Sequence, residues 1–304
     1  MSGPVPVLPA EVWTARAAAH AERADALTAG HRARRTAGQR HPVEDFLYEY
    51  YSTRPAVLRR WHPGAGTALA PPAPHADRRW YCTTGDGVVA LDAGAYLADR
   101  GPTVGFVHRL LTATASRPAA FGCFGLHEWA MVYRQDEHRH PLPLRLGRAG
   151  TDAVVEAHPI RCTHFDAFRF FTPAAVGLNR VQPTRATQPD LEQPGCLHAT
   201  MDLFKWASKL GPAVPGELLL DCFELARDVR ELDMRASPYD LREHGRQPVR
   251  IETPAGRAEY AAAQRGFTAR GADLRDRLLS VTGALLPGTG ADAGTSPAGR
   301  TVDG

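Results

Sequence analysis

Five stretches of this chain carry helix formers at helical spacing: residues 10–38, 92–115, 197–210, 217–234 and 254–286. Residues 10–38 are rich in Ala, Arg, Glu and Leu, which lose little side-chain freedom in a helix. Long helices bury their apolar stripes against other helices, so the reading is a mainly α fold. We expect one multi-helix globular domain over residues 8–286. Shorter helices are expected after Pro42, where Phe46, Leu47 and Tyr50 share a face, and over 54–60, ended by His62-Pro63-Gly64.

The expected β content is minor. Trp80 to Leu91 reads as a hairpin around Asp86-Gly87. Val154-Val155 and residues 161–171 read as strands, with helix the close second for 164–171; residues 247–252 read as a short strand. Ser237-Pro238 reads as a helix N-cap followed by proline at the first helical position. Residues 64–78, 136–150 and 179–195 read as loops. Residues 287–304 are rich in Gly, Ala, Ser, Thr and Pro and are expected to form a disordered C-terminal tail.

The net charge of +3 is a mild bias, compatible with nucleic acid without requiring it. No apolar run approaches the roughly 20 residues of a membrane span, so no membrane partner is expected. Five cysteines without disulfide-framework spacing point to a reducing cytoplasm. Of 36 basic residues, only Lys205 and Lys209 are lysine. Arginine cannot replace a lysine that must deprotonate, so their placement together marks the helix from 197.

Chemistry concentrates in three clusters: Cys123 with His127 and Glu128, Cys162 with His164 and Asp166, and Cys196 with His198 and Asp202. Thiol, imidazole and carboxylate bind metals and move protons. On the helix 197–210, His198, Asp202, Lys205 and Lys209 recur at spacings of four, three and four, which places them on one face. Such a stripe either meets solvent or lines an internal pocket. Asp221, Glu224, Asp228 and Glu231 form an acidic stripe on the next helix, read as a solvated face with Arg227 and Arg230 beside it. The run from Asp233 to Asp240, dense in Asp, Arg, Ser and Tyr, is a second candidate wall. Arg54, Arg59, Arg60 and Trp61 form a basic, aromatic group suited to phosphate contact and stacking.

Residues 41–51, 121–134, 160–173, 193–202 and 231–241 include His41-Pro-Val-Glu-Asp-Phe, Phe121-Gly-Cys-Phe-Gly-Leu-His-Glu-Trp and Gln193-Pro-Gly-Cys-Leu-His. Together they resemble a family of actinobacterial proteins designated 3-methyladenine DNA glycosylases, over about residues 8–283. The resemblance implies a DNA-repair hydrolase that cleaves the N-glycosidic bond of alkylated purines, with DNA as partner and no cofactor. In that reading Trp129, Tyr133 or Trp206 would stack on an extruded base. Arg235 and Tyr239 would line its pocket. Asp202 or Glu128 would orient water, with His198 nearby, or Lys205 would attack the sugar carbon if burial lowered its pKa.

The residues themselves leave two alternatives. One is a metal-dependent oxidoreductase for a small molecule, holding iron, manganese or zinc through His127, His164, Asp166 and His198, with Glu128 and Asp202 as further donors. The other is a non-catalytic binding protein whose polar clusters rigidify the core.

Overall fold

The computed structural model describes residues 5–138 and 140–286. In chain order the elements are β1 (Val7–Leu8), α1 (Ala10–Thr36), α2 (Phe46–Tyr50), α3 (Pro55–Leu58), β2 (Ala68–Leu69), β3 (Tyr81–Thr83) and β4 (Val89–Leu91). There follow α4 (Ala93–Ala115), α5 (Leu126–Ala130), α6 (Gly147–Ala157), α7 (Phe165–Phe168), α8 (Pro173–Val176) and α9 (Gln188–Leu191). The chain continues through α10 (Leu197–Leu210), α11 (Gly216–Arg235) and α12 (Pro254–Leu285). The fold is therefore mainly α, as the helix-forming composition predicts. The expected tail, 287–304, lies outside the described residues.

Helix α10 forms the centre. It packs on α11, α12 and α4, and of its residues only Ser208 and Lys209 are exposed, with Lys205 half-buried. Both of its apolar faces enter the main core: Leu203, Trp206 and Leu210 on one, Leu197, Met201 and Phe204 on the other. The polar stripe between them therefore faces the interior at His198, Asp202 and Lys205, while its last member, Lys209, is exposed.

The β element is larger than a hairpin. Its four strands run in the order β1-β2-β4-β3, with β1 parallel to β2 and the other pairs antiparallel. The sheet covers a small second core of Trp13, Trp61, Leu69, Ala73 and Val89. The expected loop 64–78 thus supplies β2, whose pattern is too short to read alone.

Four expectations are corrected. Val154 and Val155 lie in α6, where their β-branched preference yields to packing on α5. Residues 165–168 are helical, capped by the His164 side chain, so residues 154–171 supply no strand. Only an isolated bridge, Ile160 to Asn179, remains there. Residues 247–252 form no strand. Ser237 caps no new helix: its hydroxyl donates back to the Met234 carbonyl at 2.7 Å, and Tyr239 bridges to Leu144.

Candidate metal centre

Three elements bring the site together. Helix α5 carries His127 and Glu128, α10 carries His198, and α11 carries Arg230 and Asp233. Helix α5 is aimed by an unusual entry. Phe124 and Gly125 both take positive φ, 47° and 74°. Glycine occupies that region freely, whereas for Phe124 it costs roughly 1 kcal/mol. The double left-handed step turns the chain sharply, and α5 then points both of its polar side chains inward.

His127, Glu128, His198 and Asp233 are all buried, and one ligand atom from each lies within 4.8 Å of the others. This group can hold a metal ion. Bonds of about 2.1 Å place donors roughly 3–4 Å apart, so only a small contraction is needed. The His127 and His198 rings meet edge to face with centroids 4.4 Å apart. His127 Nε2–H donates to Asp233 Oδ1 at 2.9 Å, and its Nδ1 stands 3.5 Å from Cys123 Sγ. Arg230 Nη1–H donates to Glu128 Oε1 and Asp233 Oδ2, both at 3.1 Å.

The electrostatics split the two histidines. Burial opposes charge on His127, but Asp233 beside it outweighs burial and holds its pKa well above the ordinary value. Burial and then the His127 charge push His198 well below it. His198 is thus a neutral imidazole, 7% exposed. No hydrogen bond to either of its ring nitrogens is found among the described residues. A neutral imidazole keeps one lone pair, and a ring nitrogen of His198 lies within 4.8 Å of the donors of His127, Glu128 and Asp233, a placement a cation would use. Burial favours the uncharged form of Asp233, yet His127 and Arg230 hold its pKa below the carboxylate range. Burial and the neighbouring Asp233 raise Glu128.

The other predicted residues form a second polar layer. His164 Nε2 lies 3.3 Å from both Asp202 Oδ2 and Glu192 Oε1. Its Nδ1 accepts from the Ala167 N–H at 3.3 Å, which leaves the proton on Nε2. Its ring lies 5.3 Å from that of His198. Asp202 accepts from Tyr51 Oη at 2.8 Å and from Lys205 Nζ at 2.8 Å, and Lys205 also donates to Asp166 at 2.6 Å. His198 thus meets His127 and His164, whereas Asp202 and Lys205 pair with His164 and Asp166 and line neither space beside His198. His164 and Asp166 stand outside the four-donor group. Asp233 joins it instead.

Several expected roles change in this setting. Although burial works against its charge, Asp202 and Asp166 hold Lys205 more firmly protonated than usual. That is opposite to what a nucleophilic lysine requires. Trp129 is fully buried, its indole N–H donating to the Ala236 carbonyl at 2.9 Å. Trp206 is buried against Phe106 and beneath Lys205, and Tyr133 donates to Glu156. These three rings are core and rim residues rather than a stacking platform. Arg235 binds the Gln247 carbonyl and Glu259 away from the centre. Tyr239 lines a cleft shared with His198 and Glu128.

Two narrow spaces flank His198. One, of about 20 Å³, is lined by Glu128, Asp166, His198 and Arg230 under Phe46, Tyr50 and Phe170. The other, of about 10 Å³, is lined by Cys123, Cys162, Cys196, His127 and His198. The first has room for about one water.

Sequence reading missed Arg230 as a site residue by assigning it to a solvated face. The acidic stripe Asp221, Glu224, Asp228 and Glu231 is that outer face, paired with Arg23, Arg277, Arg270 and Arg246. Arg230 and Asp233 sit on the inner side of α11, three residues apart. The available signal was that Asp233 breaks the acidic spacing. No helix among the described residues is long and apolar enough to cross a membrane. No protein-family model matches the chain, and no curated protein or solved structure matches it either.

Proposed function

We propose that this chain is a metal-dependent enzyme in which His127, Glu128, His198 and Asp233 hold one divalent transition ion: iron, manganese or zinc. The observation that carries this reading is His198, a buried neutral imidazole without a hydrogen bond, inside a group of four convergent donors. Two imidazoles and two carboxylates suit these ions rather than calcium or magnesium, which prefer all-oxygen sites. A bound ion would supply Lewis acidity or redox chemistry next to the cleft. The chain's own contribution is to fix the donors. Arg230 orients both carboxylates, and Cys123 receives the Nδ1–H of His127 when Nε2 turns its lone pair to the ion. The cleft has room for about one water and excludes bulk water.

The test is elemental analysis of protein purified without chelator, paired with thermal melting. Near-stoichiometric iron, manganese or zinc is expected. Its return to stripped protein should raise the melting temperature, by about 2.7 kcal/mol of stabilisation at a hundredfold excess over Kd. His198→Ala should abolish both effects. A metal-free protein whose melting ignores all three ions would overturn the proposal.

A DNA N-glycosylase is the second reading. It rests on the family resemblance and on one structural observation. Two broad surface clefts, of about 510 and 810 Å³, share Arg35 and Arg54 and also include Arg40, Arg32 and Arg59. Such a surface suits a phosphate backbone. The space beside His198 is far smaller than a purine, so this reading requires α2 to move. Release of free 3-methyladenine from methylated DNA, with protein in excess of lesions, tests it. No release above background removes it.

A further inference from the structure

Three arginines meet at one surface cleft with no carboxylate paired to them. Arg35 stands in the last turn of α1, Arg40 in the segment that follows, and Arg54 directly before α3. All three are exposed and line a cleft of about 510 Å³. Among the described residues their guanidinium groups make no hydrogen bond or ion pair. Their neighbours are engaged: Arg34 with Glu44 and Asp45, Arg32 and Arg59 with Asp25. Two carboxylates also reach the cleft. Asp45, 6% exposed, already accepts from His31, Arg34 and the His41 N–H at 2.9, 2.7 and 2.8 Å. Of the two, Glu49 alone has no ion pair among the described residues, so three positive charges face one negative charge.

An excess of two positive charges in a concave site draws in anions and is relieved by one that carries two charges. The size fits a small molecule, whose pockets span about 300–1,000 Å³. The floor is held by the Asp45 bonds, which tie α1 to the 41–45 turn, and by His31 stacked on Tyr48 with ring centroids 3.6 Å apart. Ser52 and Thr53 bring hydroxyls to the same cleft. Phosphate matches this set. Guanidinium groups grip its oxygens in pairs, and a phosphate monoester is a dianion above its second pKa of about 6. A nucleic-acid strand is the poorer fit. Its phosphates carry one charge each, and Tyr48 and Trp61 are buried, so neither ring is offered to a base.

We propose that this cleft binds a small phosphate monoester, its oxygens held by Arg35, Arg40 and Arg54. The proposal goes beyond both readings of function and uses none of the metal-centre residues. The probe is phenyl phosphate, with phenyl sulfate as its singly charged isostere, titrated calorimetrically into the full chain at about pH 7.5. Phenyl phosphate should bind about threefold to tenfold tighter than phenyl sulfate, and added salt should weaken it. Arg40→Gln and Arg54→Gln should each weaken it by a similar factor. Both side chains are exposed and unpaired, so these variants should fold as the parent does. Arg60→Gln is the charge-matched control: Arg60 is exposed and lines neither broad cleft, so its loss should leave the affinity unchanged. Equal binding of the two probes, no saturable binding at millimolar concentration, or effects of R40Q and R54Q no larger than that of R60Q would overturn the proposal. A short DNA duplex that binds where phenyl phosphate does not would overturn it too, and would give the surface to the DNA reading.

Discussion

At the scale of single residues, buried charge decides most outcomes. Asp233 holds both His127 and Arg230, so Asp233→Asn leaves two cations facing one remaining carboxylate. Breaking a buried pair this way costs about 3–5 kcal/mol. Urea unfolding should show that loss, and elemental analysis should show no bound metal. Asp202→Asn is the informative contrast. It removes charge from the His164 and Lys205 layer, not from the four donors, so metal content should persist. Arg275 makes the opposite case. It is 2% exposed on α12, its Nε and Nη2 have no partner, and burial lowers its pKa despite the fields of Asp276 and Glu192. Replacing a poorly compensated buried ion with an apolar side chain of similar length often stabilises. Arg275→Met should raise stability by on the order of 1 kcal/mol, seen as a melting temperature a few degrees higher. A lower melting temperature would show that Arg275 has a partner worth more than its desolvation.

At the scale of elements, short α5 is placed by its entry and long α10 and α11 by their packing. Gly125 sits at φ 74°, and a Cβ there would meet Tyr260 and Ala236 at 3.4 and 3.5 Å, ordinary contact distances. The cost of Gly125→Ala is therefore backbone strain, about 1 kcal/mol, with a tilt of α5 that loosens His127 and Glu128. Gly85→Ala, where a Cβ meets nothing within 4 Å, serves as the neutral control. Comparing urea midpoints and metal affinity for the two variants separates entry geometry from a general effect of added methyls. The long helices were legible because a 3.6-residue period persists over many turns. The spans of α10 and α11 follow Gly211-Pro212 and Pro215 closely. The strands were not legible: β1 and β2 are two residues each, and their pairing joins Val7 to Ala68 across sixty residues of chain.

At the scale of the whole molecule, the four-stranded sheet and α1 enclose three histidines that stay neutral. Burial lowers His20 and His75, and burial together with His75, Arg78 and Arg60 pushes His62 down to about 3. The unfolded chain takes up these protons near pH 6.5 and the folded chain does not. Stability should therefore fall as pH drops from about 6.5 toward 3. A single such histidine accounts for about 2 kcal/mol at pH 5. The lowered carboxylates Asp202 and Asp233 act only below about pH 4, where they start to lose stabilisation as protons bind. Urea midpoints at pH 7.5 and 5 should differ, and His62→Gln should shrink the difference; an unchanged difference would place the acid sensitivity elsewhere. By itself the sequence determined the mainly helical class, the spans of the long helices and the shared helical face of His198, Asp202 and Lys205, because these follow from local periodicity. Only the tertiary structure decided that the stripe on α10 faces inward, that Asp233 and Arg230 complete the centre, and that His164 and Asp166 belong to a separate ion-paired layer. The physical reason is that the dielectric surroundings and charge partners of a side chain come from segments a hundred residues away, and no local pattern encodes them.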